Sequence, residues 1–139
     1  MFIVYTDGSC SPNPGSGGWA AILFAENGER QEIGGSCSET TNNRMEIIAV
    51  IESLKRIPKE MKVQIHSDSS YVIRGITEWL PNWLKSDFKR GKVLNIDLWK
   101  ELSELCLDRV IEWIWVKSHN GNIHNEEVDR LANQRRLQV

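Results

Sequence analysis

Apolar and polar positions change period several times along the chain, and each change predicts an element. Phe2 to Thr6 is a short apolar, β-prone run that Asp7-Gly8-Ser9 interrupts. Ser9 to Gly18 is dense in Gly, Pro, Ser and Asn and reads as a loop. Gly18 to Ala25 and Arg30 to Gly35 read as strands joined across Asn27-Gly28, a tight-hairpin signal. From Asn42 to Arg56 the period becomes helical, with Thr40 or Thr41 able to cap the start and Pro58 closing the end. Val63 to Ser67 alternates as a half-exposed strand does, and Ser69 to Trp79 reads as a helix opening directly behind Asp68. A short helix over Asn82 to Lys85 precedes a basic connection. Asn95 to Leu107 is amphipathic, with Leu98, Leu102 and Leu105 at helical spacing. Arg109 to Val116 reads as a strand, and Glu126 to Arg136 as a final helix capped by Asn125.

The resulting order, βββαβα(α)αβα, is that of an α/β protein. Right-handed crossovers place helices on both faces of a mixed five-stranded sheet. No repeat, low-complexity tract or linker divides residues 1–139, so a single domain is expected, and 139 residues suffice for one core.

Composition changes this picture little. Hydrophobic residues at 40% and charged residues at 26% are ordinary for a soluble globular chain. Met1 to Asp7 has neither the basic flank nor the apolar run of a signal peptide, and no window approaches the ~18 apolar residues that cross a bilayer. A cytoplasmic, monomeric protein with no membrane association, mature as written, is expected. Cys10, Cys37 and Cys106 are odd in number and widely spaced, so they predict neither a disulfide framework nor a zinc site. A net charge of −2 argues at first against a nucleic-acid partner. That average misleads if the acidic residues are concentrated in a metal site and the basic ones lie elsewhere.

The acidic residues carry the candidate chemistry. Asp7 and Asp68 each sit where an apolar strand is expected to end, and ligands of α/β sheets bind beyond the carboxyl ends of strands. On parallel neighbours about 4.8 Å apart, the two carboxylates would repel strongly unless one is protonated or a cation lies between them. Aspartates at strand ends also serve as turn formers and caps. Glu46 lies at the boundary of the arc formed by Ile47, Val50, Ile51 and Leu54, away from Arg44, Glu52, Lys55 and Arg56, where a carboxylate is only partly hydrated. It reads either as a snorkelling side chain or as a ligand. Asp129 is expected in the first turn of the last helix, a position the helix dipole favours in any protein. The loop before it carries His119 and His124, and a loop histidine beside a metal site can move protons near neutral pH. Four carboxylates without a Cys/His cluster select a hard cation, Mg2+ or Mn2+, and all-oxygen sites of this kind suit phosphodiester hydrolysis.

Longer motifs resemble one family. Tyr5-Thr6-Asp7-Gly8-Ser9-Cys10, Asn13-Pro14-Gly15 with Gly17-Gly18, Thr40-Thr41-Asn42-Asn43-Arg44-Met45-Glu46, Ser67-Asp68-Ser69 and Val116-Lys117-Ser118-His119 are similar to the signatures of bacterial type 1 ribonuclease H, in order, over essentially the whole chain. The resemblance implies a ribonuclease H-like fold and a metal-dependent endonuclease that hydrolyses the RNA strand of RNA–DNA hybrids, leaving 5′-phosphate and 3′-hydroxyl ends. Position by position, it implies Asp7, Glu46, Asp68 and Asp129 as metal ligands and catalytic carboxylates, with Mg2+ as cofactor and Mn2+ as substitute. It implies His119 as the catalytic loop histidine. Cys10, Asn13, Asn42, Asn43 and Ser70 match positions lining the hybrid minor groove, and Thr41 matches a DNA-phosphate position. Short polar side chains of this kind read 2′-hydroxyls and backbone shape rather than base sequence. Trp79 to Lys92 matches the family's basic protrusion, with Trp79, Trp83, Lys85, Lys89, Arg90 and Lys92 as the implied DNA-strand contacts.

The chain departs from the pattern at Ser118, where a glycine is usual, and at Ser70, where a glutamine-type side chain is usual. The loop Asn120 to His124 differs in composition, and the protrusion is shorter and less basic. No separate N-terminal hybrid-binding domain is expected. Two rival readings are a resolvase- or transposase-type nuclease of the same fold and a non-catalytic hybrid-binding module. The Thr40–Glu46 and basic-segment pattern speaks against the first, the four retained carboxylates with His119 against the second.

Overall fold

The computed structural model describes residues 1–118 and 120–139. Five strands, β1 (Phe2–Cys10), β2 (Gly15–Phe24), β3 (Arg30–Thr40), β4 (Val63–Ser67) and β5 (Ile111–Trp115), form one sheet in the order β3-β2-β1-β4-β5. The first three pair antiparallel, whereas β1–β4 and β4–β5 are parallel. The sheet is therefore mixed and five-stranded, as expected.

Several strand boundaries differ from the sequence reading, among them the end of β3, which runs on to Thr40 rather than stopping at Gly35. β1 does not stop at Asp7 but runs on to Cys10, and β2 begins at Gly15 rather than Gly18. The Gly/Pro/Ser composition of residues 9–18 favours a loop locally. The hairpin overrides it, because Ser9↔Gly18 and Cys10↔Gly17 continue a ladder already set by Ile3↔Phe24. Only residues 11–14 are left to turn the chain. Asn27-Gly28 does turn the next hairpin: Gly28 has φ 89°, and the Glu29 N–H donates to Asn27 Oδ1 at 2.9 Å.

Helix α1 (Asn42–Lys55) starts at Thr41, whose hydroxyl accepts from the Arg44 N–H at 3.2 Å. It lays Ile47, Val50, Ile51 and Leu54 on Val4, Ala21, Leu23, Val63 and Ile65. The segment behind Asp68 is less regular than expected: α2 (Ser70–Arg74) widens into a π-helical turn over Gly75–Trp79 and then tightens into α3 (Leu80–Lys85). The widening sits where Gly75 meets Trp99 of α4 (Ile96–Cys106). A Cβ on Gly75 would come within 2.1 Å of the Trp99 ring, so the glycine admits the fully buried indole. Replacing Trp99 with alanine is expected to cost roughly 3–5 kcal/mol. Between α3 and α4, residues Asp87, Phe88, Lys89 and Arg90 all take positive φ, a left-handed turn anchored by the buried Phe88.

On the other face, among the described residues, lies the C-terminal helix alone, α5 (Ile123–Arg136), packing Val128 and Ala132 on Ala20 and Ile22. It begins three residues before the expected start, because Asn122 rather than Asn125 caps it, accepting from the Asn125 N–H at 2.9 Å. Asn125 is buried instead. Helices thus cover both sheet faces. Among the described residues, no helix is long and apolar enough to cross a membrane.

Candidate active site

Register places the first two carboxylates. The parallel β1–β4 ladder ends at Thr6↔Ser67, so Asp7 and Asp68 are the next residues on adjacent strands. Asp7 lies inside a strand rather than at its end, since β2 still pairs with it through Ala20. Only its β4 neighbour has ended there. Asp68 follows Ser67, whose Oγ accepts from the Ser69 N–H at 3.1 Å, and Ser69 in turn caps α2.

Gly8 brings in the third. A Cβ at Gly8 would lie 2.5 Å from the Glu46 backbone nitrogen and 2.6 Å from the Met45 carbonyl carbon. Glycine lets α1 approach β1 closely enough to bring Glu46 beside Asp7. Glu46 is accordingly not the half-hydrated boundary residue of the sequence reading but is buried, at 4% exposure, and Asp7 at 3%. One oxygen each from Asp7, Glu46 and Asp68 lies within 4.8 Å of the other two. Asp129 enters from the opposite face. It stands in the second turn of α5, not the first, and its side chain lines the same cleft as Asp7. The first turn holds Glu126 instead.

All four carboxylates line one open cleft of about 360 Å³, together with Gly8, Asn42, Asn43, Ser70, Tyr71 and Ser118. Burial, then the Glu46 and Asp68 charges, push the Asp7 carboxyl far above the ordinary carboxylate range. Burial, then the Asp68 charge, raise Glu46 as well. Asp7 Oδ2 and Glu46 Oε1 are buried without a hydrogen-bond partner among the described residues. Orphaned, crowded carboxylate oxygens of this kind fit a hard divalent cation.

Other expected site residues distribute in three ways. Asn42, Asn43 and Ser70 line the cleft itself. Asn13 and Cys10 tie the residue 11–14 turn to the start of α1: Asn13 Oδ1 accepts from the Asn42 N–H at 3.2 Å, and Cys10 Sγ donates to the Thr40 carbonyl at 3.4 Å. Thr41 caps α1 between them. Lys85, Lys89, Arg90 and Lys92 surround a separate, exposed basic hollow. Trp79 and Trp83 are half-buried, their rings 5.8 Å apart, and Trp83 also packs on Trp99 at 5.4 Å. Both line a shallow apolar cleft rimmed by Lys89 and Lys92. His119 lies outside the described residues. His124, expected in the loop, instead lies in the first turn of α5 and sits against Tyr5 and Phe24, away from the cleft.

Sequence reasoning missed Ser118 as a contact, although it noticed the residue. Its hydroxyl donates to Asp68 Oδ2 at 2.7 Å. It also missed Gly8 as the packing residue, because Asp-Gly reads locally as a turn signal.

A mixed sheet of this order, with carboxylates from β1, α1, the β4 end and α5 crowded into one cleft, defines an α/β protein built to hold a divalent cation. The RNase H family model matches residues 1–136. Over 135 residues the chain is 46% identical to the ribonuclease H of Pseudomonas paraeruginosa, covering 95% of this chain and 90% of that one. It is 50% identical over 133 residues to the ribonuclease H of Anaplasma marginale, covering 93% of this chain and 86% of the other. Among solved structures it is similar to a type 1 RNase H with the type 2 active-site motif, at TM-score 0.85 and 30% identity over 96% of this chain and 70% of that one. It also resembles a foamy viral protease-reverse transcriptase solved in complex with an RNA/DNA hybrid, at TM-score 0.84 and 26% identity, covering 99% of this chain and 20% of that one. The chain belongs to the RNase H family.

Proposed function

We propose that this protein is an endoribonuclease that hydrolyses the RNA strand of RNA–DNA hybrids, leaving 5′-phosphate and 3′-hydroxyl ends. In this reading Asp7, Glu46, Asp68 and Asp129 hold Mg2+, for which Mn2+ can substitute. The observation that carries it is the convergence of carboxylate oxygens within 4.8 Å, two of them buried and unpartnered. A divalent cation bound there supplies positive charge to the scissile phosphate and lowers the pKa of an attacking water.

The protein's own groups do the positioning. Asp7 and Glu46, buried and braced by the Gly8 approach, cannot swing away when substrate enters. The Ser118 hydroxyl fixes the rotamer of the more exposed Asp68. Asn42, Asn43 and Ser70, on the cleft wall, offer short amide and hydroxyl groups to 2′-hydroxyls, which DNA lacks. Asn13 and Cys10 extend that wall, and Thr41 keeps a hydroxyl proton free for a DNA-strand phosphate. Trp79 and Trp83 offer apolar surface beside Lys85, Lys89, Arg90 and Lys92, which attract the DNA strand's phosphates. His119 moves the proton to or from the reacting oxygens. Residues 1–139 form one catalytic domain, acting as a monomer in the cytoplasm.

The test uses labelled RNA–DNA hybrid, double-stranded RNA and double-stranded DNA, each with Mg2+ and with chelator. Cleavage of only the hybrid's RNA, abolished by chelator, is expected. Cleavage of double-stranded DNA, or undiminished cleavage in chelator, contradicts the reading.

A further inference from the structure

One polar network next to the cleft takes no part in the roles above. Ser9 Oγ donates to Asn133 Oδ1 at 2.5 Å and accepts from Arg136 Nε at 3.3 Å. All three are half-buried. Asn133 and Arg136 follow Asp129 by four and seven residues on α5. At about 100° per residue the three share one margin of the helix, and Arg136 stands about 10.5 Å beyond Asp129 along the axis. Ser9 follows Asp7 by two residues on β1, about 7 Å further along the same strand. Strand and helix therefore lead from the carboxylates to one guanidinium.

That margin is held rigidly. A Cβ on Gly18 would lie 2.2 Å from the Arg136 backbone nitrogen and 2.5 Å from the Ala132 carbonyl oxygen, so β2 meets the last turn of α5 backbone to backbone. Arg130 and Arg135 point elsewhere. Arg130 is exposed, a quarter turn away, and the Arg135 side chain lies across Gly34 of β3. Arg136 Nε is occupied by Ser9, while neither terminal nitrogen makes a hydrogen bond or ion pair among the described residues. It pairs with none of the four carboxylates.

A basic residue in a last helical turn is favoured by the dipole alone. The dipole does not explain why the guanidinium is held by a serine at the cleft end of β1, on the one helix margin that carries a carboxylate of the site. We infer that Arg136, oriented by Ser9 and Asn133, binds a phosphate of the cut RNA strand one or two nucleotides from the cleaved bond. This rests on the hybrid-cleaving function proposed above. Its two free terminal nitrogens match the paired oxygens of a phosphodiester. It also supplies local positive charge beside an acidic cluster that otherwise repels the substrate backbone.

The test compares the wild-type chain with Arg136→Gln on a short hybrid with one cleavage position. A single neutral methylphosphonate is placed, in turn, at each RNA linkage within three nucleotides of the cut. Arg136→Gln is expected to raise KM roughly tenfold, the size of one charge-assisted contact, with kcat little changed. The salt dependence of binding should become shallower by about one phosphate contact. The methylphosphonate one or two linkages away should weaken wild-type binding by the same factor and leave Arg136→Gln unaffected. An unchanged KM in a folded Arg136→Gln, or equal methylphosphonate penalties in both proteins, overturns the inference. If Arg136→Gln does not fold, the wild-type scan decides alone, and insensitivity at both linkages overturns it. A wild-type chain that cuts no hybrid overturns the proposed function, and this inference with it; intact wild-type cleavage with an unaffected variant overturns the inference only.

Discussion

The carboxylate cleft and the basic segment handle charge in opposite ways. In the cleft, like charges are forced together by three tertiary constraints: the β1–β4 register, the Gly8 approach and the crossing of α5. The arrangement is costly without a cation and cannot relax, because the ligands come from elements locked in the core. Between Lys85 and Lys92, by contrast, the cations are exposed, hydrated and spread over a left-handed turn anchored by Phe88 and by the Ser86 hydroxyl, which accepts from the Lys89 N–H. Hydrated charges attract phosphates at long range and tolerate small displacements. In the proposed function, the chemistry is concentrated where geometry is over-determined, and the affinity where it is not.

Substitutions can break this contrast at either end. The largest effect is expected from Asp7→Asn or Asp68→Asn: hybrid cleavage should fall by ~10³-fold or more while the fold persists, as circular dichroism checks. Activity near wild type in either would remove that residue from the site. Gly8→Ala should come next, because its methyl pushes α1 and Glu46 off β1. A shift of this size is expected to lower kcat about a hundredfold and to destabilise by roughly 1–3 kcal/mol, read by denaturant unfolding. His119→Ala should slow turnover by about 10- to 100-fold without abolishing it, since water can carry the proton. Complete loss would assign the histidine more than proton transfer.

Removing charge from the exposed segment should do less. Lys89→Ala with Lys92→Ala is expected to raise KM several-fold, leave kcat alone and flatten the salt dependence of binding. A salt response equal to wild type would take the segment off the binding surface. The smallest effect concerns stability alone. Asp7 and Glu46 have folded-state pKa values raised above their unfolded ones. Their contribution is therefore fully present below the unfolded value of about 4 and is lost as pH rises through the raised values. In chelator, Tm should fall from mildly acidic to alkaline pH, and Asp7→Asn should blunt that fall. Mg2+ should restore Tm most at high pH. A metal-free Tm that rises over this range would contradict the crowding.

Much of the site was legible along the chain. Asp7, Glu46, Asp68 and Asp129 could be picked out because the local pattern sets Asp7 and Asp68 at expected strand ends, Glu46 at the edge of an apolar helical arc and Asp129 near the start of the last helix, and the motifs around them are specific. Thr41 was readable as a cap, and the helical period of Ile47 to Leu54 correctly assigned the buried side of α1. Less legible was anything that depends on a partner strand. Residues 9–18 look like a loop because local composition favours turning, yet the β1–β2 ladder carries strand structure through Cys10 and back from Gly15. The start of α5 was misplaced because Asn122 and Asn125 are equally good caps by residue type.

By itself, then, the order of residues determined the element types, the apolar faces and which side chains could bear the chemistry, since these follow from local period, capping and turn propensity. The tertiary structure decided how close those side chains come. Glu46 became buried only because a glycine on another element leaves room for its helix, and Ser118 became a partner of Asp68 only because β5 ends beside β4. Separation between residues distant in sequence is set by packing and register, which no local pattern encodes.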